Sequence, residues 1–410
     1  MTKEEIHYGT NLKAHLQNLL GQGMRKFEDL VAMSGGAYPT VVKEMVEKLI
    51  SEGVIESSIR FSETPADPTI EKSDDKETSG SCVDPHPLDY DWRFSKTGRE
   101  AIVNELDQYL IPRAKIALFG TQTLAAALEQ KKVNVTLYNN SRVLVDELKL
   151  KQKDLQIVLH DLFNPISNSL GYFDFVIADP PWYEEDNKAF VLRGAQVLKI
   201  DGLLFLSMFP WLTRPRAVAE RESILKFAID AGFDTFKIIP ASLKYETPKF
   251  ERISLKQDGI NLANDWRVGD LYILRKVRDS SIDLNTVFIH DESVWEDYVL
   301  NGNKRVKLKI RADRDDELFS FKHIDSGRIL KTVSRRSPLR NGIDLWTSHN
   351  EAYSVNGIGV VKDALTLIQN GIPVNTVVSK LRKKHAGGDS EWNKLNEFLM
   401  EITTDTDISN

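Results

Sequence analysis

The sequence has a single cysteine, Cys82, among its 410 residues. A disulfide within the chain needs two cysteines, and a zinc site built on thiolates needs more than one, so the sequence excludes both. Cys82 lies in a polar stretch without residues that would position or activate a thiol, so a catalytic cysteine is also disfavoured. No spacing of His, Asp and Glu is typical of a metal site, and we expect none.

Long apolar runs and an excess of positive charge are also lacking. No run approaches the roughly 20 residues of a membrane-spanning helix, and the first segment, MTKEEIHYGTNLKAH, is charged where a signal peptide would be apolar. We therefore expect a soluble, cytoplasmic protein without membrane contact. The 54 Lys and Arg residues are outnumbered by 60 Asp and Glu residues, for a net charge of −6. Contact with nucleic acid would therefore need a local basic face.

Residues 1–61 are predicted to form a winged helix-turn-helix. The helical patterns LKAHLQNLL, FEDLVAMS and YPTVVKEMVEKLISEG precede a strand-like VIESSIRFS, and SGG supplies the tight turn between the last two helices. The outward face of the last helix mixes Lys43 and Lys48 with Glu44 and Glu47. DNA contact therefore remains open beside a role in packing, in a homodimer or in contact with a partner protein.

The rest of the chain falls into four predicted parts. Residues 62–88 are polar, acidic and rich in Pro and Ser, as in a flexible linker. Within residues 89–280, apolar runs such as AKIALFG, NVTLYN, LQIVLHD, FDFVIAD and GLLFLSMF alternate with helical segments, which indicates a parallel sheet covered on both faces. Residues 281–385 are predicted to be a small basic α+β module, and residues 386–410 an acidic C-terminal tail.

FDFVIADPPWYEED, residues 173–186, is the stretch that most strongly indicates chemistry. Ligands of an open parallel sheet collect beyond the carboxyl ends of its strands, and the run FDFVIAD ends there with Asp179. Two prolines follow it, which fix the backbone and remove two N–H donors. Acceptors held rigidly in this way suit an exocyclic amine, and Trp182 offers a flat face on which a base could stack, worth about 1–3 kcal/mol.

Asp179-Pro180-Pro181-Trp182 resembles the DPPW tetrad of the MTA-70-like amino-methyltransferases, which transfer a methyl group from S-adenosylmethionine to adenine N6. The strand plan likewise resembles class I methyltransferases, which implies an α/β, Rossmann-like sheet between the winged helix and the C-terminal module. The resemblance implies that Asp179 and the Pro180 carbonyl hold the target amine and that Trp182 stacks the base. It also implies S-adenosylmethionine as cofactor and DNA or RNA as partner.

The same resemblance places the cofactor at the ends of three strands. Gly120 and Thr121 belong to the loop after the first strand, FGTQTLAAAL, in which Gly120 is the only glycine. Asn139 occupies the position where class I enzymes usually place an acidic residue for the ribose hydroxyls. Asp161 and Leu162 occupy the position where the family contacts the cofactor's adenine.

Three residues are candidates for binding the substrate. Tyr183 and Glu184 follow the tetrad, and Arg214 follows the next strand, where it could contact a substrate phosphate. The acidic run at residues 184–186 could instead hold the ammonium groups of a polyamine, or simply favour the N-terminus of a helix.

Two alternatives to methyl transfer remain open. HDLFNPISNSLGYFDFVIADPP resembles the layout of branched-chain polyamine synthases, which place a winged helix before a class I sheet and use decarboxylated S-adenosylmethionine. A non-catalytic, nucleic-acid-binding scaffold would also account for a cofactor loop with few glycines.

Overall fold

A computed structural model describes residues 2–55, 59, 83–167, 171–262, 265–289, 294–300, 303–311, 319–325 and 327–404. The chain divides into two units, and each is assembled from three separate segments. Unit 1 comprises Met1–Ser81, Trp92–Thr247 and Ile260–His290, and unit 2 comprises Cys82–Asp91, Pro248–Gly259 and Asp291–Asn410. Cys82, most of the predicted linker and most of the predicted wing strand lie outside the described residues.

Unit 1 begins with three helices, α1 (Lys3–Gly21), α2 (Phe27–Ala32) and α3 (Pro39–Ser51). Helix α1 starts with a reciprocal capping box between Thr2 and Glu5, which satisfies two of its free N–H groups. Apolar residues spaced three or four apart on α1 and α3, including Leu12, Leu16 and Val46, are fully buried. Because the wing is not described, the winged form of this module stays a prediction.

The turn between α2 and α3 packs against the loop of residues 210–213. The Leu212 N–H donates to the Gly35 carbonyl at 2.9 Å. Gly36 has a φ of +90°, and a Cβ built on it would lie 2.7 Å from Thr213 Oγ1 and 3.0 Å from Pro210. Glycine is therefore required at position 36 both by the backbone conformation and by the close approach.

The rest of unit 1 is a seven-stranded sheet in the order β3-β2-β1-β4-β5-β7-β6, with β7 antiparallel to both of its neighbours. The prediction of a Rossmann-like, class I sheet is confirmed. The strands are β1 (Lys115–Phe119), β2 (Asn134–Asn139), β3 (Gln156–Leu159), β4 (Phe173–Ala178), β5 (Leu198–Met208), β6 (Phe233–Lys244) and β7 (Val268–Lys276). The helices are α4 (Lys96–Asp107), α5 (Ala125–Glu129), α6 (Arg142–Lys151), α7 (Glu184–Val197) and α8 (Ala217–Asp230).

Unit 2 contains a five-stranded antiparallel sheet in the order β10-β12-β11-β9-β8. Its helix α9 (Lys249–Gln257) lies in the chain between β6 and β7 of unit 1. The strands are β8 (Val294–Val299), β9 (Arg305–Ile310), β10 (Ser320–His323), β11 (Leu345–Thr347) and β12 (Ala352–Asn356). The remaining helices are α10 (Ile358–Gln369), α11 (Val374–Arg382) and α12 (Asp389–Thr403).

Two segments differ from their predicted description. The expected acidic tail contains α12, whose buried residues Trp392, Leu395 and Phe398 belong to the hydrophobic core of unit 2. The expected linker ends in an ordered turn at Pro87–Asp89, and the imidazole of His86 beside it is fully buried. In both segments, apolar or buried side chains lie among the charged and polar residues on which the prediction was based.

Within the described ranges, no helix combines the length and the apolar character that crossing a membrane requires.

Candidate functional site

The ends of β1 and β4 bring Gly120 and Asp179 together. The Asp179 N–H donates to the Phe119 carbonyl at 3.1 Å, and the Gly120 N–H donates to the Tyr138 carbonyl at 3.3 Å. Gly120 has a φ of +69°, and a Cβ at this position would lie 3.4 Å from the Asp179 carbonyl oxygen. The backbone of the first loop can therefore turn sharply at the edge of the sheet, directly beside Asp179.

The next two strands place the other cofactor candidates along the same edge. The Asn139 Oδ1 accepts the Ser141 N–H at 2.8 Å, so this amide stabilises the start of α6. The Asp161 Oδ1 accepts the Phe163 N–H at 3.1 Å in a turn after β3, and Leu162 in that turn is buried. Thr121 is also buried, and its hydroxyl donates to the Ile177 carbonyl at 3.4 Å. All the predicted cofactor residues thus lie at or just after the carboxyl ends of three adjacent parallel strands.

Asp179 is held by a tyrosine that the sequence did not reveal. Tyr245, which follows β6, is 1% exposed, and its hydroxyl donates to Asp179 Oδ1 at 2.7 Å. The same hydroxyl lies 2.5 Å from Ser207 Oγ on β5. Burial, and then the negative charge of Asp179, raise the pKa of Tyr245 well above its usual value. The hydroxyl therefore remains protonated near neutral pH and keeps one carboxylate oxygen in position.

Trp182 is not the open stacking plate that the sequence suggested. Its side chain is 7% exposed, and the Arg267 guanidinium lies 3.8 Å from the ring centroid. The same guanidinium lies 4.2 Å from the ring of Trp92 and 5.9 Å from that of Tyr245. We call Trp92, Trp182 and Tyr245 the aromatic box. The rings of the box already contact a cation, the Arg267 guanidinium, as in a cation–π contact. A base could stack on this face of Trp182 only after Arg267 moves.

The aromatic contacts continue from the box into the N-terminal helices. The ring of Trp266 lies edge-on to Trp92 at 5.8 Å and to Tyr38, just before α3, at 5.7 Å. A Cβ on Gly269 would lie 3.2 Å from the Trp182 ring and 3.3 Å from the Tyr245 ring. The absence of a side chain at residue 269 thus allows both rings to lie close to the backbone of β7.

The sequence suggested that the carbonyls of the two prolines are free acceptors, but the Pro181 carbonyl is already hydrogen-bonded. The Pro181 carbonyl accepts the Tyr183 N–H at 2.6 Å and the Asn187 side-chain amide at 3.3 Å. These bonds make a tight turn into α7, with Tyr183 as the residue that caps it. Within this turn, the acceptors expected from the two prolines are partly used to start the helix.

The remaining substrate candidates, Glu184 and Arg214, form ion pairs and hydrogen bonds with side chains of the protein itself. Glu184 pairs with Lys188 at 2.7 Å and accepts the Ser223 hydroxyl at 2.6 Å. Burial favours a higher pKa for Glu184, but the hydrogen bonds from Lys188 and Ser223 outweigh it and leave the pKa below the usual value. Arg214 donates to Glu220 at 2.6 Å, and its guanidinium lies 4.1 Å from the Phe209 ring. Arg214 is thus paired within unit 1, whereas we expected a phosphate contact.

Solved structures of known proteins share this fold. The chain is similar to the C9 mutein of the branched-chain polyamine synthase from Thermus thermophilus, in complex with N4-aminopropylspermidine and 5′-methylthioadenosine. The TM-score is 0.53 at 14% identity, and the match covers 70% of this chain and 97% of that one. A second structure of that synthase, with the same two ligands, gives a TM-score of 0.50 at 14% identity over 69% of this chain and 91% of that one. At this identity the likeness concerns the fold alone.

Comparison by sequence is more limited. No protein-family model matches the chain. A stretch of 111 residues is 31% identical to an uncharacterised protein of Methanocaldococcus jannaschii. The match covers 26% of this chain and 27% of that protein, so the chain spans about a quarter of the length of this relative.

Proposed function

We propose that the chain transfers an aminopropyl group from decarboxylated S-adenosylmethionine to a nitrogen atom of a polyamine. The observation that carries the proposal is the surroundings of Asp179. A carboxylate at the carboxyl edge of a class I sheet lies beside aromatic rings that hold a positively charged group. Carboxylates and aromatic faces are the groups that recognise alkylammonium ions.

The described residues fit an adenosyl donor at the adjoining strand ends. Gly120 keeps free the space that a Cβ would occupy beside the Asp179 carbonyl, so the donor could approach the backbone closely. Asp161 has a carboxylate suited to an adenine amino group, and Asn139 has an amide that can bond a ribose hydroxyl. When bound, the donor supplies a propyl carbon that is activated by a positively charged sulfur.

In the proposed reaction, the lone pair of the acceptor nitrogen attacks that carbon. The new C–N bond forms while the C–S bond breaks, and 5′-methylthioadenosine leaves with the electron pair of the broken bond. Asp179 accepts an N–H of the amine, which orients the lone pair, and takes the proton that the product nitrogen releases. Tyr245 stays protonated and keeps the carboxylate in position. The transfer needs no enzyme nucleophile.

A second candidate, methyl transfer from S-adenosylmethionine to adenine N6 in DNA or RNA, is favoured by the DPPW tetrad itself. The occupant of the aromatic box weighs against it, because the face of Trp182 already holds a cation, the kind of group that a polyamine presents and a nucleobase does not. We therefore rank aminopropyl transfer first.

One experiment separates these functions. The full chain is incubated with labelled decarboxylated S-adenosylmethionine and spermidine, and in parallel with labelled S-adenosylmethionine and DNA or RNA oligonucleotides. Products are identified by mass spectrometry. We expect an aminopropylated polyamine; a methylated nucleoside instead would establish the second candidate, and no product from either donor would favour a non-catalytic scaffold.

The same assay tests the role of Asp179. Loss of a positioned proton acceptor typically lowers a rate 10²- to 10⁴-fold, and we expect Asp179→Asn to lose activity within that range. Asp174→Asn is the matched control, because Asp174 lies on β4, the strand that Asp179 follows, and pairs with Lys199 at 2.7 Å. Unchanged activity in Asp179→Asn would show that this carboxylate does not act on the amine.

A further inference from the structure

Arg267 occupies the place where the positive charge of an amine substrate would be recognised. Its guanidinium lies within 4.2 Å of the ring centroids of both Trp92 and Trp182. A cation within about 6 Å of an aromatic face is attracted by the ring. The third ring of the box, Tyr245, donates its hydroxyl to Asp179, so the box adjoins the carboxylate of the proposed reaction.

The backbone of Arg267 is anchored while its side chain remains partly accessible. The Arg267 carbonyl accepts the Tyr245 N–H at 3.1 Å, which fixes the residue at the start of β7. The side chains of Arg267 and Trp92 are only half-buried. Departure of the guanidinium from the box would therefore involve rotation about its own side-chain bonds and no change in the strand.

We propose that Arg267 is an internal competitor of the acceptor amine, which takes the place of the substrate's ammonium group in the aromatic box until the amine displaces it. This inference rests on the proposed function and names the position of the acceptor's charge within that site. Because the competing group belongs to the chain itself, it lowers the affinity for every cationic acceptor by the same factor. A polyamine can offset this loss through contacts made by its other charges, whereas a simple monoamine has no other charge.

The test is the binding of spermidine to the full chain, measured by calorimetry. Removal of the competing charge in Arg267→Gln should lower the dissociation constant about 2- to 30-fold, the range that corresponds to a cation–π contact at tenfold per 1.4 kcal/mol. Arg267→Met should do the same, since it also removes the competing charge. Arg267→Lys should bind as the wild type does, since it keeps the charge.

Two controls separate displacement from a general effect of charge. Arg275→Gln removes a guanidinium near the far end of β7, where it lies 4.2 Å from the Phe236 ring of β6. This variant should leave spermidine binding unchanged. Adding Trp92→Leu to Arg267→Gln should abolish the gain, because the amine loses one face of the box.

Five results would overturn the inference. The first three are a dissociation constant in Arg267→Gln equal to that of the wild type, a gain of the same size in Arg275→Gln, and a gain that persists after Trp92→Leu. Transfer activity with normal spermidine kinetics in Arg267→Gln would disprove the competitor while leaving the proposed function intact. The absence of spermidine binding in every variant would also disprove it, and the product assay would then decide the function separately.

Discussion

At the scale of single residues, Asp179 could be predicted and its partner Tyr245 could not. The apolar run of β4 places Asp179 at the carboxyl edge of a parallel sheet, so its position follows from local pattern alone. Tyr245 lies 66 residues further along the chain, beyond a strand whose register shifts between Ile239 and Leu243. A register shift changes which side chains face a partner strand, and no pattern in the sequence records it.

We expect Tyr245→Phe to lower the turnover rate of the proposed reaction by roughly tenfold or more, because a hydrogen bond to a charged group contributes about 1.5–3 kcal/mol. The carboxylate of Asp179 would lose its fixed orientation while the aromatic ring of the box remained. Steady-state kinetics measure the effect, and thermal unfolding measures any loss of stability. Tyr272→Phe is the control, because the Tyr272 hydroxyl contacts Arg221 and not Asp179. Equal rates in both variants would contradict the assignment.

The exposure of Trp182 was predicted wrongly for a related reason. The sequence places the indole of Trp182 directly after two prolines. The guanidinium that lies over this ring belongs to Arg267, 85 positions later in the chain. The arginine stands between a polar segment and a strand, where a charged residue is ordinarily solvated. Only the three-dimensional arrangement shows that the two side chains meet.

At the scale of elements, the strands β1–β5 were predictable because they are apolar and most of them are separated by amphipathic helices. Helix α12 was missed although its pattern is present in the sequence. Its buried residues recur every three or four positions, at Trp392, Leu395, Phe398, Leu399 and Ile402. The acidic residues between them dominated the composition, and composition does not distinguish a solvated tail from a helix with one solvated face.

Helix α3 bears on the predicted nucleic-acid partner. Its most exposed residues include Glu44, Glu47 and Lys48, so this face is not basic. The turn before α3 packs on the Pro210–Thr213 loop. A nucleic-acid contact, if it is made, would have to use a different surface, and this partner stays a prediction, as does a homodimer through this module.

The packing of the α2–α3 turn leads to a prediction of stability. Gly36→Ala should destabilise the protein by about 1–3 kcal/mol, because alanine disfavours a positive φ and its Cβ would approach Thr213. Gly9→Ala is the matched control: Gly9 lies within α1 and a Cβ there would meet nothing within 4 Å, so a small gain in stability is expected. Chemical unfolding measures both variants. A Gly36→Ala protein as stable as Gly9→Ala would mean that the turn does not pack on this loop.

At the scale of the whole molecule, each predicted domain was one continuous stretch of the chain, whereas each unit combines three separate stretches. Unit 2 takes a short segment before the sheet of unit 1 and a helix from within that sheet's last connection. In unit 2, the Ser254 hydroxyl on α9 donates to the Leu330 and Lys331 carbonyls. Such joins between distant segments leave no mark on composition or periodicity, which are local properties.

His86, which bonds to the distant Trp346 carbonyl within unit 2, makes the stability of the protein depend on pH. Burial, and then the charges of Lys307 and Arg305, hold the pKa of His86 well below its usual 6.5. Below pH about 6.5 the unfolded chain binds a proton at this histidine that the folded chain does not. The contribution of the neutral imidazole to the free energy of unfolding is therefore present above this pH and is lost as the pH falls. The expected slope is about 1.4 kcal/mol per pH unit.

Urea unfolding at pH 7, 6 and 5 checks this dependence. His86→Gln removes the titrating group, so its free energy of unfolding should fall less steeply in acid than that of the wild type. His7→Gln, on the exposed side of α1, should keep the wild-type slope. Parallel slopes in the wild type and His86→Gln would contradict a buried neutral imidazole.

The bond from His86 to the Trp346 carbonyl, at 2.9 Å, joins residues 260 positions apart. During synthesis at about 5–20 residues per second, the first of these residues leaves the ribosome roughly 10–50 s before the second is made. His86 therefore lacks its hydrogen-bond partner, the Trp346 carbonyl, while most of the intervening polypeptide is translated. Unit 2 can be completed only after β11 has been translated, so a nascent chain that stalls before β11 would expose this segment to chaperones and proteases.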